Sequence, residues 1–324
     1  MITLLGVEIR RALARRMLLT LIVIALGGIA VAGVVTFVKS HPLSSDALSH
    51  AQALADADIQ RCLNGDIIRE QDLPPNTTLD EWCHETITVQ NYYSSSSTFH
   101  LWDLGNWLQG VSFLLIAGAL AVGASFVGAE WHTGSMTTLL TWEPRRLRVL
   151  AAKALAIAAV AFVVTIGLQV IFGLVLTLVA VTRGDTAETG GTWLRSVVGS
   201  GLRISATASG ASVMGLAVAM IGRNVAAALG GIFVYVAVIE GILRGIRMKL
   251  GLWLLGDNVG VFITGRPRTY FDETTVNAAV FGGQSTAFSR SQVRTVGQAA
   301  AIVALYAAVL LVAAAWSFRA RDVN

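Results

Sequence analysis

The chain has 324 residues, of which 54% are hydrophobic and only 14% charged; its net charge is +4 and its mean hydropathy +0.65. A water-soluble domain needs more polar residues than that to cover its surface, so the composition excludes an ordinary soluble enzyme or binding module and makes bilayer the expected solvent. The apolar residues come in blocks of the roughly 20 residues that cross a ~30 Å hydrocarbon core, without the alternation of barrel strands, so the predicted fold class is an all-α polytopic membrane protein.

Residues 2–16 mix apolar and basic positions at helical spacing, which predicts a short amphipathic elbow helix lying on the inner membrane surface. Arg10, Arg11, Arg15 and Arg16 precede the first block and place the N-terminus in the cytoplasm. Six spans are predicted, at 17–38, 107–128, 154–181, 197–221, 225–243 and 299–318. The first is too long for the core of a cleavable signal. The fourth is the weakest, because it carries Arg203 and several serines.

Six crossings put 39–105, 182–195 and 244–297 outside, and 130–153, 222–224 and the C-terminus inside. Arg145, Arg146, Arg148 and Lys153, then Arg223, then Arg319 and Arg321 agree with the inner assignments. Arg244, Arg247, Lys249, Arg266, Arg268, Arg290 and Arg294 oppose the last outer one. The stretch 251–265 is too short to cross and contains Asp257, so 244–297 is expected to be a re-entrant or outer hairpin before the sixth span.

The segment 39–105 reads as an extracytoplasmic insertion. It holds ten acidic residues against three basic ones, a net of −7. Pro42, Pro74 and Pro75 interrupt it, and Ser94–Ser97 is a polar run. Residues 44–70 look helical, with Leu48, Ala51, Ala55, Ile59 and Cys62 on one face. Cys62 and Cys83, the two cysteines of the chain, both fall here, which fits a disulfide in an exported segment. His41, His50, His84 and His100 match no metal-ligand spacing and read as solvated side chains; no metal site is expected.

No phosphate loop, zinc-protease motif or nucleophile elbow occurs, so no catalytic residue or cofactor is assigned to the chain, and no nucleic-acid partner is expected. Gln169, Arg203 and Glu240 are polar residues inside spans, and such residues are candidates for pathway lining or intramembrane pairing. Glu240 has two candidate partners, Arg244 one turn later and Arg203 on the fourth span. Gly201, Ser205, Ser209 and Ser212 recur at helical spacing on that span and permit close packing.

The segment Glu130–Lys153 is the most informative. A span ends in Glu130; Thr133–Leu140 is helix-competent; Pro144 ends it; Arg145, Arg146 and Arg148 lead into the next span. Such a helix would lie on the inner face and present Met136, Leu139, Leu140 and Trp142 to a partner or to the lipid interface. Glu130, Gly134, Leu139, Leu140, Pro144, Arg146 and Lys153 together resemble the pattern of ABC-2 type permeases, the type V exporter-like membrane subunits of ATP-binding cassette transporters, in an actinobacterial-like form. The resemblance extends to the elbow helix, the six spans and the outer hairpin. Ser135 stands where a threonine is usual and His132 where a basic residue is common, and the insertion after the first span is longer than in simple members.

The resemblance implies a permease without its own energy source. A separate cytosolic ATPase would bind ATP and magnesium and dock on Glu130, His132, Thr133, Gly134, Met136, Leu139, Leu140, Pro144 and Arg146, with Arg223 in the turn 222–224. A second permease copy, the same or similar, would complete the pathway in a bacterial plasma membrane, with both termini cytoplasmic. Two other function classes compete. A sensor or accessory subunit would use the acidic insertion as a receptor domain, and a membrane enzyme would need paired polar residues at the membrane face; neither accounts for the Glu130–Lys153 pattern.

Overall fold

The computed structural model of the chain describes residues 2–41, 45–68, 78–89, 92, 98–142, 145–186, 189–246, 248–270 and 292–320. Six of its helices are long and apolar enough to cross a membrane. They are α2 (Arg16–Lys39), α5 (Leu104–His132, entered through a 3-10 turn at Leu101–Asp103), α7 (Arg146–Arg183), α8 (Gly191–Gly222), α9 (Val225–Ile246) and α11 (Val296–Ala320). Each expected span lies inside one of these. Among the described residues the shorter helices before α9 are α1 (Ile2–Leu13), α3 (Ser45–Leu63), α4 (Leu79–Thr86) and α6 (Ser135–Trp142). Between α9 and α11 come a 3-10 turn at Met248–Leu252, helix α10 (Leu255–Thr264), and the strands β1 (Arg268–Tyr270) and β2 (Gln292–Arg294).

The chain divides into two compact units. The first contains Met1–Gly27, Gly105–Ile171 and Leu194–Asn324. Its core joins Leu18, Phe126, Met136, Ile157, Leu216, Met220 and Phe318, drawn from α2, α5, α6, α7, α8 and α11. The weak fourth span, α8, is the most enclosed helix. Its most apolar window is 72% buried, against 11% for α2 and for α9. A helix surrounded by protein needs less hydropathy than one facing acyl chains, which is why α8 tolerates serines and reads weakly in the sequence.

Contact between α8 and α5 is backbone to backbone. A Cβ at Gly123 would stand 1.8 Å from the Ser212 carbonyl oxygen, and one at Gly215 would stand 2.2 Å from that of Leu120. Only glycine fits where two helix backbones meet this closely. Ser209 Oγ adds an interhelical bond to the Ala158 carbonyl of α7 at 3.0 Å.

The second unit contains Gly28–Leu104 and Phe172–Trp193. Helix α3 buries Ala51, Ala55 and Cys62 as its spacing predicts, while Leu48, expected on the same face, is exposed. Cys62 and Cys83 are joined in a disulfide that fastens α3 to α4. Thr78 caps α4 by accepting from the Glu81 amide. His100, expected to be solvated, is instead buried, its Nδ1 3.2 Å from Asp185 Oδ2. Two backbone bonds reinforce that pair, Leu101 N to Asp185 O and Asp185 N to Phe99 O, each 2.9 Å. Pro42, Pro74, Pro75 and Ser94–Ser97 lie outside the described residues.

Two outcomes are expected. Gly123→Val should lower the thermal stability of the purified protein by about 1–3 kcal/mol through overpacking. Gly118→Val, where a Cβ meets nothing within 4 Å, should leave it nearly unchanged; melting in detergent checks both. Cys62→Ala should cost about 2–4 kcal/mol in the folding of the disulfide-closed unit and abolish the mobility difference between reduced and non-reduced gels.

Candidate functional site

The candidate site occupies the end of the first unit where α1, the α5–α6 turn, the start of α7 and the end of α11 meet. The turn is set by Gly134, whose φ of +70° lies in the left-handed region. A Cβ there meets nothing within 4 Å, so the backbone conformation, not crowding, calls for glycine. Thr133 Oγ1 accepts or donates to Ser135 Oγ at 3.1 Å and donates to the Ala129 carbonyl at 3.0 Å, closing the end of α5.

Beneath this turn lies a buried ion network. Lys153, about two turns into α7, is wholly buried; its Nζ stands 2.8 Å from Glu8 Oε2 of α1 and 2.8 Å from Glu130 Oε2 of α5. Arg15 Nη2 reaches Glu130 Oε1 at 3.3 Å, and the same guanidinium donates to the carbonyls of Ser125 at 2.9 Å and Phe126 at 2.7 Å. Arg11 completes the set at the rim, 3.2 Å from Glu8. Both Lys153 and Arg15 sit over the Phe126 ring, at 5.0 and 5.1 Å from its centroid. Within the enclosed part, the carboxylates of Glu8 and Glu130 balance the cations of Lys153 and Arg15. The balance matters because an unpaired buried charge costs several kcal/mol.

The expected coupling residues separate into two kinds. Glu130 belongs to the ion network. Met136, expected to face a partner, is fully buried in the core, and Leu139 packs partly against it. The reason is that α6 lies over an apolar core and spends its inward face there. Trp142, in contrast, is 87% exposed, and His132, Thr133 and Thr138 are exposed too. Pro144 and the side chain of Leu140 lie outside the described residues. Arg146 donates to the Phe318 carbonyl of α11 at 3.0 Å. Arg223 adopts φ 52° in the turn between α8 and α9, with its guanidinium 4.6 Å from the centre of the Trp131 ring. Trp131 in turn meets Phe318 edge to face at 6.2 Å. A Cβ at Gly128 would stand 2.9 Å from the Val225 amide nitrogen, so the α8–α9 turn closes directly on α5.

The three intramembrane candidates are not brought together. Gln169 of α7 donates to Ser205 Oγ of α8 at 2.9 Å. Arg203 lies under Gly265, where a Cβ would stand 2.5 Å from its Cζ, and donates to Ser200 Oγ at 3.4 Å. Glu240 takes the first of its two candidate partners, Arg244 at 3.7 Å, and accepts from the Gly256 amide at 3.0 and 3.1 Å. It directly follows a π-helical stretch, Val234–Ile239, within α9.

Sequence reasoning missed two partners. Glu8 is the lone acid among the basic residues before α2, and that isolation was the available signal. Asp257 collects two of the arginines that stood against the expected outer placement of 244–297: Arg244 Nε at 3.3 Å and Arg268 Nη1 at 3.3 Å. Arg294 joins by donating to the Leu252 carbonyl at 2.7 Å, and β1–β2 pairing sets Arg268 opposite Arg294. Burial pushes the Tyr270 hydroxyl above its usual pKa, the nearby Asp257 adds to this, and Arg268, Arg294 and Arg244 oppose it.

Comparison of the chain with protein-family models, with curated proteins and with solved structures finds no match.

The network yields a charge-balance test. Lys153→Met leaves two carboxylates facing one cation and should destabilise the protein by about 3–5 kcal/mol. Adding Glu8→Gln restores the balance of Glu130 with Arg15, so the double variant should recover much of the loss. Melting of the three proteins in detergent checks this, and a double variant no more stable than Lys153→Met refutes the balance argument.

Proposed function

We propose that this chain is the membrane-spanning permease subunit of an ABC-2 type ATP-binding cassette exporter, driven by a separate cytosolic ATPase. The observation that supports this most is the mounting of α6. It is a two-turn helix with one face buried through Met136 and an exposed end at Trp142. Glu130, at the end of α5 just before the turn into α6, is bound to Lys153 of α7 and to Arg15, and Lys153 in turn holds Glu8 of α1. A surface helix that is seated on the core through Met136 and leaves, by a tight turn, a helix end anchored by buried charges passes a push into the bundle rather than yielding to it. That is what a coupling element between an ATPase and a transport pathway requires, since a partner drives a change only through contacts that differ between two states.

In this reading α1 is the interfacial elbow helix and α6 the coupling helix. His132, Thr133, Thr138 and Trp142 form the ATPase contact, with Arg223 beside it, while Glu130, Met136 and Arg146 hold it in place. Both termini are cytoplasmic, the 39–105 insertion is extracytoplasmic, and α10 with β1 and β2 forms a re-entrant hairpin. ATP and magnesium belong to the ATPase, and a second permease copy completes the pathway in a bacterial plasma membrane. The disulfide between α3 and α4 favours a second reading, a sensor or accessory subunit that uses the insertion as its receptor.

Affinity purification of the tagged chain from its own membranes is expected to bring down an ATP-hydrolysing subunit. Trp142→Glu, which alters an exposed side chain and leaves the core intact, should reduce that recovery at least about tenfold, as loss of an aromatic anchor does at other interfaces. A preparation free of ATPase would favour the sensor reading, and full recovery with Trp142→Glu would overturn the docking role of α6.

A further inference from the structure

At the same end of the first unit, apart from the ion network, a cavity of about 390 Å³ is lined by Arg145, Arg146, Leu147 and Arg319. It lies where α7 begins and α11 ends, two elements tied together by the Arg146 bond to the Phe318 carbonyl. Among the described residues, Arg145 and Arg319 have no acidic partner, and both are exposed. Guanidinium groups stay protonated at any physiological pH. Two such groups at one cavity, those of Arg145 and Arg319, repel one another unless an anion sits between them, and their planar donor forks match phosphate oxygens.

The surroundings decide which phosphate. On α11, Leu305, Val309, Val312 and Trp316 are all more than half exposed, and their spacing puts them on one face with Arg319. That face carries aliphatic side chains first, then a tryptophan, then the arginine at the cavity. Acyl chains, interfacial aromatic residues and headgroups follow one another in the same order across half a bilayer. Leu147, 43% exposed, gives the cavity an apolar wall beside its cations. A soluble phosphate has no use for that wall or for the stripe, whereas a lipid uses both.

We infer that Arg145, Arg146 and Arg319 form a binding site for the phosphate headgroup of an anionic membrane lipid, whose acyl chain runs along the exposed face of α11. The inference rests on the six helices spanning a bilayer and not on an ATPase partner, so it stands or falls separately from the permease reading.

The test uses the full chain in nanodiscs of phosphatidylglycerol and phosphatidylcholine, released for native mass spectrometry. Wild type should retain phosphatidylglycerol in preference to phosphatidylcholine. Arg145→Gln/Arg319→Gln should retain about thirtyfold less, the effect expected for removing two headgroup contacts. Arg10→Gln/Arg16→Gln removes the same charge from exposed positions elsewhere on the chain and should retain as much as wild type. Millimolar inorganic phosphate should not strip the lipid. Equal retention of the two lipids by wild type overturns the inference whether or not the variants fold. So does unchanged retention by Arg145→Gln/Arg319→Gln, an equal loss in the control, or stripping by phosphate, which would mark a site for a soluble anion.

Discussion

Lys153 constrains the structure more than any other residue. It lies on a helix that continues as an apolar span, and its ammonium group is fully enclosed. A cation in that position persists only where carboxylates meet it, and the two that do come from separate elements: Glu8 from the N-terminal helix and Glu130 from the end of α5. Each brings its own support. Glu130 holds Arg15, which reaches the α5 carbonyls, and Glu8 holds Arg11. The position of α1 therefore follows from a charge on α7 together with a small apolar face, of which Ala12 is buried in the core and Ile9 packs against it. Val7 and Leu13, two of its apolar residues, remain nearly half exposed.

The far end of the first unit solves the same problem in reverse. There the excess charge is positive, and Asp257 and Glu240 answer it. Small residues make room for them. A Cβ at Gly256 would stand 2.6 Å from Glu240 Oε2, and one at Gly251 would stand 2.8 Å from Asp257 Oδ2. Glycine at 256 lets the Glu240 carboxylate reach the start of α10, and glycine at 251 leaves room for that of Asp257, in the first turn of the same helix. The Gly256 amide, unpaired by any earlier helical turn, then becomes a donor to Glu240.

The six spans were legible because long apolar blocks need no partner to be recognised, and their helical ends extend the expected bounds by a few residues. The Cys62–Cys83 bond was legible because two cysteines in one segment have a single pairing. The packing of α6 was read only in part. Its apolar residues look alike in sequence, but the core takes Met136 and leaves Trp142 outside, a choice made by helices that lie distant in the chain. Glu8 could not be assigned because its partner stands 145 residues away. His100 and Asp185 were hidden for the same reason, being 85 residues apart. The close approach of α5 to α8 also escaped notice. Gly123 and Gly215 are ordinary among 32 glycines until two backbones are seen to meet at them.

Stability alone does not explain the ion network. Replacing a buried ion pair by well-packed apolar residues is often neutral or favourable, so a core of leucines at positions 8, 130 and 153 would hold as well. It would not hold in one place. An apolar N-terminal helix beside a bilayer can slide along its neighbours or turn towards lipid at little cost, because lipid is as apolar as the core. Two carboxylates and one ammonium remove that freedom. Displacing α1 by a single turn, about 5.4 Å along its axis, would strand both Glu8 and half the charge of Lys153. Removing one partner of a buried pair costs about 3–5 kcal/mol, more than an apolar slip would. The network therefore fixes register: it sets where α1 lies against α5 and α7, and through Glu130 it sets where the exposed end of α6 is held.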